Sequence, residues 1–213
     1  MIAAQRVESL FLASGALRTG HFALKSGRHG DRYVEKFLVL QDPGAVSELC
    51  GAFADRVRGP DGRPTVDVVV GPTTGGVILA FETARQLGLP GFFAEEVRDA
   101  DGAARREFRR GFRLAPRARV LLVDDILTTG GSLLAMLPPI EAAGAELILA
   151  MVIVDRSGGT RHVTSPTSGR DYPVEALWTL DIPTFEPGPA TCPACAAGAP
   201  IEAPGSSGVT ASS

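Results

Sequence analysis

Apolar positions recur along this chain in two rhythms. The first is helical. Val7, Leu10, Phe11 and Ser14 fall at helical spacing, and Gly15 is a natural stop. Asp42-Pro43 has the form of an N-cap followed by proline at the first helical position. Val46, Leu49, Cys50, Phe53, Ala54 and Val57 then continue as one apolar stripe. The second rhythm is a series of short unbroken apolar runs: Val66 to Val70, Gly91 to Ala94, Val120 to Val123 and Leu147 to Val154. Val120 to Val123 and Leu147 to Val154 predict buried strands, Gly91 to Ala94 a brief strand, and Val66 to Val70 a short apolar run that ends at Gly71. Between them, Val77 to Leu87 (closed by Gly88) and Ser132 to Ala142 predict helices. Strands alternating with helices predict an α/β fold with a parallel sheet covered on both sides.

The remaining segments read less regularly. Leu17 to Leu40 mixes glycine, aromatic and charged residues, which predicts short strands and turns. Gly59 to Pro64 reads as a loop. Arg98 to Arg113 is polar and Gly-punctuated, predicting a flexible loop or a long hairpin. Residues 1–198 are expected to form one domain. Residues 199–213, rich in Pro, Gly, Ala and Ser, are expected to be a disordered tail. There is no internal repeat.

Composition narrows the class. The chain has 213 residues, 45% hydrophobic and 21% charged, the balance of a soluble globular enzyme. A net charge of −3 and a pI near 5.7 argue against a nucleic-acid binder. No apolar run approaches the roughly 20 residues that span a bilayer. The stretch Met1 to Arg6 lacks a signal peptide's apolar core. A cytoplasmic protein with no membrane partner is expected.

The chemistry concentrates in Val120-Leu121-Leu122-Val123-Asp124-Asp125-Ile126-Leu127-Thr128-Thr129-Gly130-Gly131-Ser132. A buried strand ends in two carboxylates, where open α/β sheets place ligands. A loop of Thr, Gly and Ser then opens a helix. Its backbone N–H groups, hydroxyls and helix N-terminus make a phosphate cradle. Carboxylates disfavour a phosphate, so Asp124 and Asp125 need another target: sugar hydroxyls, or a metal that carries phosphates. Neither G-x-x-x-x-G-K-[ST] nor G-x-G-x-x-G is present here.

This stretch resembles the phosphoribosyl diphosphate signature of type I phosphoribosyltransferases. The resemblance implies that family's fold: a parallel twisted sheet flanked by helices, with a small hood from N- and C-terminal segments over the cleft. It also implies that Asp124 and Asp125 hold the ribose hydroxyls. Thr128, Thr129, Gly130, Gly131 and Ser132 would bind the 5′-phosphate, with Ile126 and Leu127 in the same substrate loop.

Other segments are similar to the orotate members of that family. Gly15-Ala16-Leu17 and Gly20 to Arg28, including Lys25, resemble their base-binding region. Tyr33 and Val34 fall where those proteins place residues beside the orotate ring. Gly71-Pro72-Thr73-Thr74-Gly75-Gly76 resembles the loop that contacts diphosphate. Val154-Asp155-Arg156-Ser157-Gly158-Gly159 resembles the strand end whose arginine meets the orotate carboxylate. A planar guanidinium suits that carboxylate, which it can grip bidentately. The ending Ile182 to Phe185 with Cys192-Pro193-Ala194-Cys195 looks like a shorter bacterial subgroup.

One region departs from the pattern. Orotate members carry a mobile loop with lysines and a histidine, and residues 95–111 hold neither. Arginines 98, 105, 106, 109 and 110 are the available cations, with Arg98 the candidate to stabilise the leaving diphosphate. Arginine stays charged at neutral pH and is no proton donor. The expected reaction is therefore displacement at the ribose anomeric carbon, by positioning and electrostatics, without a covalent nucleophile. The resemblance further implies Mg²⁺ held mainly through the substrate diphosphate, and a homodimer whose loop reaches the neighbouring site. The expected substrates are phosphoribosyl diphosphate and orotate. A phosphoribosyltransferase for a purine or another base, and a non-catalytic sensor of phosphoribosyl diphosphate, fit the same residues.

Cys50, Cys192 and Cys195 do not form a secreted disulfide framework. Zinc wants four ligands, and one C-x-x-C with Cys50 and scattered histidines supplies no evident set. Cys192 and Cys195 read as a turn of structural or incidental cysteines. His21 and His29 read as polar lining on the base side, without a visible partner.

Overall fold

The computed structural model describes residues 2–24, 26–99 and 101–204. Helix α1 (Ala4–Ala13) buries Val7 and Phe11, and the chain leaves it through Gly15 at φ +71°. The hairpin β1 (Leu17–Ala23) and β2 (His29–Val34) follows. The next segment, expected as turns, is the five-residue helix α2 (Lys36–Leu40), which buries Val39 and Leu40. It is too short for periodicity to reveal. Helix α3 (Pro43–Arg56) starts as expected: the Asp42 carboxylate accepts from Gly44 N–H at 2.8 Å and Ala45 N–H at 3.2 Å.

The main sheet follows from the apolar runs. Its strands are β3 (Val68–Pro72), β4 (Gly91–Arg98), β5 (Ala104–Phe108), β6 (Arg119–Leu127), β7 (Glu146–Asp155), β8 (His162–Thr164) and β9 (Asp171–Thr179). They lie in the order β5-β4-β3-β6-β7-β9-β8. The five central strands are parallel, whereas β5 and β8 run antiparallel at the two edges. Short connections explain the edges: a few residues can join a hairpin but not a parallel crossover. The expected loop from Arg98 is thus the end of the β4–β5 hairpin. Strands β8 and β9 carry too many interleaved polar residues to stand out as apolar runs.

Side chains on β3 and β6 alternate between two cores. Val69, Leu121 and Val123 pack under α1, α3 and α4 (Gly75–Leu87). Val68, Val70, Val120 and Leu122 pack under α5 (Gly131–Ala142) on the other face. Trp178 belongs to the first core, edge-on to Phe11 with ring centroids 5.6 Å apart.

A separate three-stranded sheet, β1-β2-β10 with β10 at Thr184–Phe185, forms the hood. A one-turn helix, α6 (Pro193–Ala196), lies beyond it. The tail expected from residue 199 starts docked. Ala23 N–H donates to Glu202 C=O at 2.7 Å, and Glu202 N–H to His21 C=O at 2.8 Å. An open backbone edge on β1 accounts for this. Residues 205–213 of that tail lie outside the described residues.

Candidate active site

Parallel register brings three strand ends to one edge of the sheet. Val70 lies beside Leu122, Ile126 beside Val154 and Leu127 beside Asp155. The loops after β3, β6 and β7 therefore emerge together. They carry Thr73 to Gly75, Asp124 to Ser132, and Arg156.

Asp124 and Asp125 are both buried, each 4% exposed. Asp124 Oδ1 accepts from Asp125 N–H at 2.9 Å, and Asp125 Oδ1 from Ile126 N–H at 2.7 Å. Lys36 Nζ sits 2.9 Å from Asp125 Oδ1 and 2.8 Å from Oδ2. Asp125 thus has its own cation. For Asp124, burial first and the Asp125 charge second push the carboxyl up to about 6, against the opposing pull of the Asp125 N–H, Ser132 and Lys36. Sequence reasoning missed Lys36. Its only signal was its place two residues after Val34.

The Gly71–Gly76 loop passes tightly behind these carboxylates. A Cβ on Gly75 would lie 1.8 Å from Asp125 Oδ2, and one on Gly71 would lie 2.2 Å from Gly76 O. Both glycines are required by close packing. The Thr73–Thr74 peptide is cis. Thr73 N–H donates to Ala94 C=O at 3.0 Å, and Thr73 Oγ1 accepts from Arg106 Nη1 at 2.7 Å.

That last contact separates the hairpin arginines. Arg98, the sequence candidate, is 66% exposed at the end of β4 and donates to Glu96 at 2.9 Å. The Arg106 side chain is only 12% exposed and reaches the Thr73 loop. The available signal was Phe108: residues two apart on a strand share a face, and Phe108 packs on the core. A concavity of about 260 Å³ between hairpin and α5 is lined by Arg105, Arg106, Gly131 and Ser132, among others.

Gly130, at φ +80°, precedes α5 as its N-cap, and no side chain caps that helix end. Thr128, Thr129, Gly131 and Ser132 are exposed around it, with no acidic residue in the first turn. An exposed helix N-terminus with hydroxyls beside it attracts an anion.

Arg156 stands across the cleft. Its backbone N–H donates to Leu127 C=O at 2.8 Å, extending the strand pairing by one residue. Its side-chain Nε is buried and has no hydrogen-bond partner among the described residues. Burial lowers its pKa, opposed by attraction to Tyr33. Tyr33 is raised by its own burial and by Glu35, and Arg156 and Arg18 oppose this. Tyr33 and Arg156 are therefore near neighbours. Val34 is 8% exposed and packs in the core cluster with Ala16 and Leu17. Lys25 lies outside the described residues.

The histidines differ from expectation. His21 and His29, expected as base-side lining, contact each other and the Cys192–Cys195 turn. Cys50 lies apart, buried in the α3 core.

Comparison with known proteins agrees with this geometry. A family model described as phosphoribosyl transferase domain matches residues 39–177. The orotate phosphoribosyltransferase of Pelotomaculum thermopropionicum is 39% identical over 200 residues, covering 94% of this chain and 96% of that protein. That of Caulobacter vibrioides is 42% identical over 196 residues, covering 92% and 93%. The crystal structure of orotate phosphoribosyltransferase from Aeropyrum pernix superposes with a TM-score of 0.63 at 25% identity, covering 82% of this chain and 93% of that one. With a family model across more than half its length and relatives near 40% identity along almost all of it, the chain belongs to the phosphoribosyltransferase family, among the orotate phosphoribosyltransferases.

Proposed function

We propose that the protein transfers the phosphoribosyl group of phosphoribosyl diphosphate to orotate, forming orotidine 5′-phosphate and diphosphate in pyrimidine biosynthesis. The observation that carries the choice of base is Arg156: a half-buried guanidinium at the cleft whose Nε lacks a partner among the described residues. A buried unpaired donor of this kind is costly unless a ligand completes it. A carboxylate completes it, and orotate carries one.

The other groups divide the rest of the substrate. The open α5 N-terminus and Thr128 to Ser132 take the 5′-phosphate. Asp124 and Asp125 accept from the ribose hydroxyls, with Lys36 fixing Asp125. The Thr73–Gly75 loop and Arg106 face the diphosphate, so positive charge is in place where negative charge develops. Tyr33 covers the base side, and Lys25 belongs to the same region by resemblance.

The cleft fits Mg²⁺ only as part of the substrate. Its two buried acids include one already paired with Lys36, too few donors to hold a hard cation unaided. Mg²⁺ bound to the diphosphate would neutralise charge on the leaving group. The phosphorylated substrates and the three cysteines free of disulfides suit the cytoplasm. No described helix is long and apolar enough to cross a membrane.

Diphosphate release, followed with Mg²⁺ and a panel of bases, tests the reading. Orotate should be turned over. Arg156→Ala should raise the orotate KM while sparing phosphoribosyl diphosphate affinity. Charge-assisted hydrogen bonds contribute about 1.5–3 kcal/mol, so the effect should be roughly ten- to a hundred-fold. Turnover only with purines, or wild-type orotate kinetics in the variant, would refute the assignment.

A further inference from the structure

Four potential metal ligands from two distant parts of the chain, the β1–β2 hairpin and the α6 turn, meet in the hood. His21 comes from β1, His29 from β2, and Cys192 and Cys195 from the start of α6. Their four ligand atoms all lie within 4.8 Å of one another. His21 Nε2 is 2.9 Å from His29 Nδ1 and 3.6 Å from each of the two sulfurs. Cys195 Sγ is 3.2 Å from His29 Nδ1. Tetrahedral zinc, with Zn–S about 2.3 Å and Zn–N about 2.0–2.1 Å, holds its ligand atoms roughly 3.3–3.8 Å apart. The cluster needs only small adjustments to reach that geometry.

We propose that His21, His29, Cys192 and Cys195 form a structural zinc site that clamps the C-terminal segment onto the hood. Three further observations support it. His21 Nδ1 lies 3.0 Å from Ala199 C=O. A proton there donates to the carbonyl and leaves Nε2 as a lone pair aimed at the cluster, the orientation that outer contacts impose on zinc-bound histidine. Cys192 and His21 are 2% and 6% exposed, and His29 and Cys195 are partly buried, so the cluster is largely shielded from solvent, as structural zinc sites are. The irregular register of β1 between Thr19 and Phe22 also spans His21, and such irregularities re-aim a side chain.

The turn itself has the right form. Pro193 opens α6, and Ala196 N–H donates to Cys192 C=O at 3.0 Å, which folds the two sulfurs to one side. Two thiolates and two neutral imidazoles balance the charge of Zn²⁺. Tetrahedral S₂N₂ sites suit zinc or iron–sulfur chemistry, and no sulfide-bridged cluster fits one C-x-x-C with two histidines packed this tightly. The site is separate from the catalytic groups and holds whichever base the enzyme accepts. Its consequence is mechanical: β2 carries both His29 and Tyr33, so the metal would stiffen the strand that faces the base.

The test uses the full chain, purified without chelator and dialysed against metal-free buffer. Elemental analysis should find about one zinc per chain. After zinc removal, Co²⁺ should give the intense visible bands of a tetrahedral site and thiolate-to-cobalt charge transfer. Chelation should lower the melting temperature, and Zn²⁺ should restore it. Cys195→Ser should lose the metal and the charge-transfer bands, whereas Cys50→Ala should keep both. Should Cys195→Ser fail to fold, the cobalt spectrum of the wild-type apoprotein still decides. Zinc far below one per chain with no cobalt charge transfer overturns the proposal. So does a Cys192–Cys195 disulfide in freshly prepared protein, or iron in place of zinc.

Discussion

Asp124 carries a cost in stability at neutral pH, which its proposed ribose contact accounts for. An unfolded chain ionises aspartate near its ordinary value, but folded Asp124 keeps its proton to about pH 6. Stability from that proton is present at low pH and is lost as pH rises through about 6. At neutral pH the free enzyme carries the full cost of a buried charge beside Asp125. Asp124→Asn should therefore stabilise the fold at pH 8 by on the order of 1–3 kcal/mol, and much less at pH 4, near the ordinary aspartate range. The same variant should lose turnover, because an amide presents one acceptor where the ribose diol meets a carboxylate. Wild-type kcat/KM should fall as pH drops through about 6. Thermal melts at the two pH values check the first outcome, and a variant no more stable than wild type at pH 8 would contradict it.

At the scale of elements, the two loops of the cleft use glycine for different reasons. Gly75 begins α4 against Asp125, and an added Cβ there would overlap the carboxylate at 1.8 Å. Gly75→Ala should destabilise the fold by roughly 1–3 kcal/mol, as overpacking does, and displace Asp125 from Lys36. Gly131 begins α5 toward open space, with Thr129 Oγ1 at an ordinary 3.7 Å from the added Cβ. Gly131→Ala should keep or improve stability, since alanine suits a helix better than glycine. It should nonetheless weaken phosphoribosyl diphosphate binding by crowding the phosphate. Calorimetric binding and melting curves of both variants separate the roles. Equal melting temperatures for the two, or undiminished binding by Gly131→Ala, would show the loops misassigned.

At the scale of the molecule, one apolar face lacks a cover. Phe81 is 69% exposed, and it and Ile78 line an apolar groove of about 500 Å³ with Leu40, Phe92 and Phe112. Exposed apolar patches of this kind mark interaction surfaces. A second copy of the chain is the occupant that the family resemblance implies, and the groove lies beside the β4–β5 hairpin. If that copy seats here, the wild-type chain should sediment as a dimer and Phe81→Asp as a monomer. Turnover should drop with it if the partner's hairpin completes the site. An unchanged sedimentation coefficient at micromolar concentration would place the interface elsewhere.

Some of this was local, and local features are legible in a sequence. Strand, carboxylate pair, glycine loop and helix follow one another within Val120 to Ser132, so their order alone predicted a phosphate site beneath a parallel sheet. The burial of β6 and β7 was legible for the same reason: an apolar run reports both faces at once. Asp42 likewise declared the start of α3. What remained hidden depends on groups far apart in the chain. Lys36 reaches Asp125 across 89 positions, and Cys192 meets His21 across 171. Spacing carries no signal for such pairs. Arg106 rather than its neighbour Arg105 reaches the Thr73 loop because hairpin register chose which side of β5 turns inward, and Arg98 is left exposed at the end of β4. The chain's own order determined the fold class and the strand–loop–helix in which we propose the phosphate site. Tertiary packing decided which cations serve that loop and brought two histidines to two cysteines, because burial and register act only once distant segments have met.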